Sequence, residues 1–214
     1  MNLINFALAA STLAFLAACG GGGGGGDDNT DSTAAVDNPL KKYDGTYYSC
    51  EGNDKTTIAA TATGSEELSV LISTDLYQGA NCSGNVIASY HWNKPLLAKY
   101  TGRTTVNMPA VTVLPYADAV DKITVSAIGI TGTLTGSGVN GSCVAYSYVD
   151  GKKTVNGNDC FELVIPSTTV SAALYLSTDN KYLVQFSLEN GVLEADLLTS
   201  RDPSFNIDAL IARK

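Results

Sequence analysis

Apolar and polar residues alternate along most of the chain beyond residue 43. Leu68, Val70, Ile72 and Leu76 alternate with Ser69, Ser73 and Asp75, and Ile123, Val125 and Ala127 alternate with Thr124 and Ser126. A period of two sends successive side chains to opposite faces, so these segments read as half-buried antiparallel strands. The clearest unit surrounds Asn190-Gly191, a dipeptide suited to a type I′ turn because both positions take positive φ. That turn sets Leu188 against Leu193, Phe186 against Ala195 and Val184 against Leu197, with Ser187–Glu194 and Gln185–Asp196 on the other face. Val184, Phe186 and Leu188 are thereby assigned to a buried face, and Gln185 and Ser187 to solvent. A turn at Thr178-Asp179-Asn180, with Asn180 left-handed, adds a third strand by placing Leu176 against Tyr182 and Leu174 against Val184.

Further strands are expected near Gly45 to Cys50, Thr56 to Thr63, Glu67 to Leu76, Asn85 to Trp92, Lys99 to Asn107, Lys122 to Ile128, Ile130 to Thr135, Cys143 to Val149 and Phe161 to Ile165. About eight to ten strands with short turns suit an all-β, antiparallel up-and-down barrel; an immunoglobulin-like sandwich is the alternative. Phe205, Leu210 and Ile211, behind Asn206 and Asp208 and ending in Arg213-Lys214, predict a short C-terminal helix with a polar cap and a cationic end.

The first residues follow another rule. Leu3 to Ala18 is apolar but shorter than the roughly 20 residues needed to span a bilayer, which suits the core of an export signal. Met1 to Phe6 carries no Lys or Arg, a departure from the basic start of such signals. Leu16-Ala17-Ala18-Cys19 resembles the bacterial lipobox. The resemblance implies cleavage before Cys19 and a diacylglycerol on its thiol; a plain secretion signal and a retained helix are the alternatives. In enterobacterial lipoproteins an Asp after the cysteine retains the protein at the inner membrane, and Gly20 in that place implies the outer membrane. Gly20 to Gly26, followed by Asp27, Asp28, Asp31 and Asp37 among small polar residues, has little to bury and reads as a tether with a reach of roughly 25 Å. The expected organisation is a signal over residues 1–18, a lipidated Cys19 and tether over 19–38, and one β-rich domain over 39–214. Asp27-x-Asn29-x-Asp31 resembles the start of a calcium loop, but Ser32 stands where the turn glycine belongs, and no metal site is assigned.

Charge narrows the partners. With 13 basic and 21 acidic residues the net charge is −8 and no Lys/Arg cluster is present, which argues against nucleic acid. Anionic headgroups would also repel the domain, leaving membrane attachment to the acyl chains.

Cys50, Cys82, Cys143 and Cys160, an even number in an exported chain, point to two disulfides with three possible pairings. Paired C-x-x-C spacings for zinc are lacking. If Gly151-Lys152 is a two-residue turn, Cys143 faces Cys160, although Asn156-Gly157-Asn158-Asp159 signals a bulge in the second strand. Cys50 then joins Cys82 by elimination.

Gly45-Thr46-Tyr47 resembles the Gly-x-Trp motif that opens the first strand of lipocalin-like (calycin) barrels, with Tyr47 in place of Trp. Arg201 stands where that family places an arginine across the aromatic ring, and Gly45 to Cys50 and Asn81-Cys82-Ser83-Gly84 resemble the cysteine positions of its small bacterial lipoproteins. The resemblance, over most of residues 43–202, implies a lipocalin-like barrel.

Chemistry is sparse. His91 falls with Ile87 and Ser89 on the strand face opposite Val86, Ala88 and Tyr90, and reads as a surface histidine. No serine has the Gly-x-Ser-x-Gly setting, and Gly136-Ser137-Gly138-Val139-Asn140-Gly141 matches G-x-G-x-x-G but precedes a strand where the dinucleotide motif needs a helix. Glu66-Glu67 reads as solvated charge in a turn. Acid pairs that meet only in space leave an enzyme as a third class. The chain holds eleven tyrosines and one tryptophan; these fill a core or line a cavity, with Tyr90, Trp92, Tyr146 and Tyr148 as ligand contacts. The expected function is a non-catalytic, cofactor-free barrel that binds a small apolar ligand. The alternative is a rigid module contacting another envelope protein or a surface.

Overall fold

The computed structural model describes residues 38–105, 119–146, 157–189 and 192–208. The expected signal and most of the tether, the Asp150-Gly151 and Asn190-Gly191 turns, and residues 209–214 lie outside them. A 3-10 helix, Lys41–Tyr43, precedes β1 (Gly45–Glu51), β2 (Asp54–Thr63), β3 (Glu67–Gly79), β4 (Ser83–Trp92), β5 (Leu96–Thr104), β6 (Val120–Ala127) and β7 (Gly132–Thr135). There follow β8 (Val139–Asn140), β9 (Cys143–Tyr146), β10 (Gly157–Cys160), β11 (Thr168–Leu176), β12 (Tyr182–Glu189) and β13 (Val192–Ser200).

Eight of these strands close an antiparallel barrel in the order β1-β13-β12-β11-β6-β5-β3-β2, with β2 returning to β1. The fold is the barrel and not the sandwich. Strand β3 serves two neighbours on one edge: Glu67 to Val70 pair with β5, and Ser73 to Gly79 pair with β4, which carries β7 outward. Strands β8, β9 and β10 form a separate small sheet.

Local chemistry makes the corners. Gly52-Asn53 is the two-residue connection of β1 and β2, with Gly52 at φ 61°, and Gly64 takes φ 59° between β2 and β3. The Asn53 amide donates to Tyr77 O at 3.0 Å, tying that corner to β3.

The alternating residues fill the interior: Tyr47, Ile58, Leu68, Leu96, Ile123, Val125, Leu174 and Leu183 are buried in one cluster with Leu40 and Tyr43 of the N-terminal turn. The opposite face of β6, β11 and β12 holds a second buried cluster, Val120, Ala173, Tyr175, Val184 and Phe186. A third, Leu76, Ala88 and Val144, lies beneath the β4–β7 extension and the small sheet.

The disulfides join Cys50 to Cys82 and Cys143 to Cys160. Cys143 is the register partner of Cys160, and the same register runs without a bulge to Tyr146 and Gly157.

Several expectations need correction. Phe186 opposes Ala195, but Val184 opposes Leu198 and Gln185 opposes Leu197, because Asp196 is an extra residue in β13. The β11–β12 loop is one residue longer than expected. Ser177 N–H bonds to Tyr182 O, and Asn180, left-handed at φ 59°, lies between them, so Leu176 faces Leu183 and Tyr175 faces Val184. Val184 and Phe186 are buried, but on the outer wall; Gln185 and Ser187 lie on the inward face with Leu183 and are half-buried, not solvent-facing. A register shift at Ile87 turns Val86 outward, 42% exposed, while Ala88 and Tyr90 keep the inward face. Phe161 to Ile165 is no strand; its one ladder bridge is Thr131 to Val164, with backbone hydrogen bonds from Gly132 to Leu163 O and from Ile165 to Ile130 O beside it, and the strand is β10 just before it. The expected C-terminal helix lies mostly outside the described residues, of which Ile207 and Asp208 are helical; at its start the Asp208 carboxylate accepts from Gly52 N–H at 2.6 Å and Asn206 bridges to Cys50, holding this end against β1.

Candidate functional site in the barrel interior

One end of the barrel is closed by the N-terminal turn. Asn38 starts it, accepting from Leu40 N–H at 2.8 Å and donating to Glu67 O at 2.9 Å. Tyr43, fully buried, donates to the Asp121 carboxylate at 2.7 Å and lies 2.9 Å from Leu174 O. Asp121, 1% exposed, also receives Lys42 and the Arg103 guanidinium, the latter at 2.8 Å. Burial pushes this carboxyl up, but donation from Lys42, Arg103 and Tyr43 outweighs it and holds the group below its ordinary value. Burial and the adjoining Asp121 drive the Tyr43 phenol the other way, well above its ordinary value. Tyr43, Lys42 and Arg103 all converge on the one buried carboxylate, so the cluster bolts the N-terminal turn to β5 and β6.

Beside it, Arg201 lies over the Tyr47 ring, 5.1 Å from the centroid, and donates to the Tyr47 hydroxyl at 3.0 Å and to Asp44 O at 2.8 Å. Gly45 permits this approach: it takes φ 140°, and a Cβ there would meet the guanidinium at 3.1 Å. Burial raises the Tyr47 phenol, with Arg201 partly offsetting it.

Val70, Ile72, Tyr100, Val170 and Leu197 pack against the core from inward-facing positions yet are only partly buried. Three rows cross β1, β2 and β3 on this face. Tyr47, Ile58 and Ile72 form an apolar row; Ser49, Thr56 and Thr74, one step along, form a row of hydroxyls; Glu51, Asp54 and Leu76 form the next. Ser49, Thr56 and Thr74 are 4%, 3% and 5% exposed.

Of the expected ligand contacts, Tyr90 and Trp92 sit two residues apart on β4. Trp92 packs against the interior cluster, while Tyr90 stacks on Phe161 at 5.1 Å and donates to Glu162 O at 2.8 Å. The Tyr146 side chain and all of Tyr148 lie outside the described residues, as does Cys19. His91 is exposed and opposes Ser73 in register, but among the described residues no hydrogen bond joins them, and the nearby Asp75 carboxylate accepts from Ser89 at 2.6 Å. Glu66 and Glu67 are exposed. Gly136 to Gly141 is the connection between β7 and β9; a Cβ at Gly136 would meet Ile87 O at 2.3 Å, so its glycine serves close packing. Among the described residues no group of three or more metal-ligating side chains comes together.

Sequence reasoning missed Asp121 and the hydroxyl row. Asp121 stands one residue before the strand expected from Lys122, in phase with Ile123 and Val125, and that phase was the available signal. The hydroxyl row becomes visible only once two hairpin registers are known. No family model matches the chain, and neither a curated protein nor a solved structure matches it.

Proposed function

We propose that this chain is a lipid-anchored envelope lipoprotein whose barrel binds a small apolar molecule in its interior, without catalysis or cofactor. The observation that carries the binding reading is the partial burial of Val70, Ile72, Val170 and Leu197, apolar side chains that face inward across three strands. In an eight-stranded barrel the interior is either filled by side chains or holds one small ligand, and accessible inward apolar surface favours the second. Anchoring rests on the resemblance of Leu16-Ala17-Ala18-Cys19 to a lipobox, and the outer membrane on Gly20. Among the described residues no helix is long and apolar enough to cross a membrane.

The binding reading is tested with the full chain and the apolar fluorophore N-phenyl-1-naphthylamine. Saturable fluorescence that is lost in Ile72→Trp, which fills the interior, is the expected result; no saturable binding overturns it. For anchoring, radiolabelled palmitate should enter the wild-type chain and not Cys19→Ser, because the thioether needs the thiol. Label on the serine variant overturns that part.

A second reading, a rigid module contacting another envelope protein, is favoured by one outer-wall feature. Leu71 and Leu97, 43% and 48% exposed, lie on adjacent strands among Ala59, Ser69 and Ser126, with no charged residue between them.

A further inference from the structure

We propose that Ser49, Thr56 and Thr74 anchor the head of an amphiphile, whose alkyl body lies along Tyr47, Ile58 and Ile72 and whose head is an uncharged hydroxyl or amide. The inference rests on the ligand-binding reading above and gives that ligand a polar end. The three residues are direct register partners across β1, β2 and β3, share the inward face with the apolar row, and are each at least 95% buried. None of the three hydroxyls makes a hydrogen bond to another described residue, and none is among the side-chain oxygens fully sealed from solvent, so each remains open to a partner from outside the chain.

Three adjacent hydroxyls, each able to donate and accept, match a head that does both. The next row selects against an anion. Glu51 opposes Asp54 there, two residues beyond Ser49 and Thr56 on the same face, so a carboxylate at the hydroxyls would lie roughly 7 Å from two acidic side-chain positions. The apolar row, on the other side, is where an alkyl chain loses its water.

The test compares 1-octanol, 1-chlorooctane and octanoate binding to the full chain, read by emission of Trp92, the single tryptophan, which packs against the interior cluster. The triple variant Ser49→Ala/Thr56→Val/Thr74→Val removes the hydroxyls at nearly constant volume. The affinity ratio of octanol to chlorooctane should fall about tenfold in it, the factor one to two neutral hydrogen bonds supply, while chlorooctane binding holds. Thr56→Val alone, at the centre of the row, gives the same direction if the triple variant does not fold. A ratio unchanged by the substitutions, or octanoate binding more tightly than octanol, overturns the anchor and leaves the binding reading standing. Failure of all three probes to bind the wild-type chain overturns both.

Discussion

The hydroxyl of Tyr43 donates to the carboxylate of Asp121 at 2.7 Å, joining a short N-terminal turn to a strand 78 residues further along the chain. Tyr43→Phe keeps the ring that closes the barrel and removes only this bond and the contact with Leu174 O. It should cost about 1–3 kcal/mol in urea denaturation, since it leaves buried acceptors short of a donor. Arg103→Ala, at a side chain 62% exposed, should cost less than about 1 kcal/mol.

The same pair contributes to stability at both ends of the pH range. Asp121 is depressed in the folded chain, so its contribution is present above the unfolded carboxyl value and is lost as pH falls below about 4. Tyr43 is raised, so its contribution is present below the unfolded phenol value and declines as pH rises beyond about 10. Melting temperature against pH should fall on both sides, and Tyr43→Phe should flatten the alkaline side. An alkaline limb unchanged in that variant would assign the effect to other groups.

Arg201→Met keeps much of the side-chain volume over Tyr47 but gives up the cation and both hydrogen bonds. A loss of about 1–2 kcal/mol is expected. Tyr47→Phe combined with Arg201→Met should cost less than the two single losses added, as for partners in contact. Strict additivity in this cycle would mean that the two residues act independently.

Gly132 faces the ring of Tyr90 so closely that a Cβ would stand 2.3 Å from it. Gly132→Ala should therefore destabilise by about 1–3 kcal/mol through overpacking. In a Tyr90→Leu background the same substitution should be nearly neutral, which thermal melts of the four proteins can establish.

Phe186→Ala should cost about 3–5 kcal/mol, as a fully buried ring leaves a cavity. Ser187→Lys should cost about 1–3 kcal/mol, because that side chain points into the barrel and the cation must be buried or displaced. A lysine variant as stable as wild type would reverse the assignment of β12 faces.

The contrast between Phe186 and Ser187 shows how far the sequence could be read. Alternation found the strands, and the Asn190-Gly191 turn fixed the pairing of Phe186 with Ala195, since both are local properties. It could not say that the β12–β13 wall is apolar on both faces, because Val184 and Phe186 look the same whichever side of the wall they cover. Nor could it place the extra residue at Asp196, where neither Gly nor Asn marks a bulge. Asn180 was legible as a left-handed position, but the number of residues around it depends on Ser177, which closes the loop with its own backbone and side chain. In the candidate site, Tyr90 and Trp92 were readable as aromatic residues in a strand. The hydroxyl row was not, because Ser and Thr have the same appearance inside and outside a barrel until the register of three strands is known.

Strand β3 belongs at once to the closed ring and to the β4–β7 extension. When β4 releases Ser73 to Gly79, β2 still holds Ser73 to Leu76 from the other edge, and the Cys50–Cys82 disulfide keeps the β3–β4 turn tied to β1. Ring and extension are therefore expected to open as two cooperative units sharing one strand. Amides of β4 and β7 should exchange with solvent through a sub-global opening, and those of β2, β5 and β6 only when the whole domain unfolds. The extension can accordingly tolerate insertions and sequence drift that the ring cannot, without a loss of closure around Tyr43.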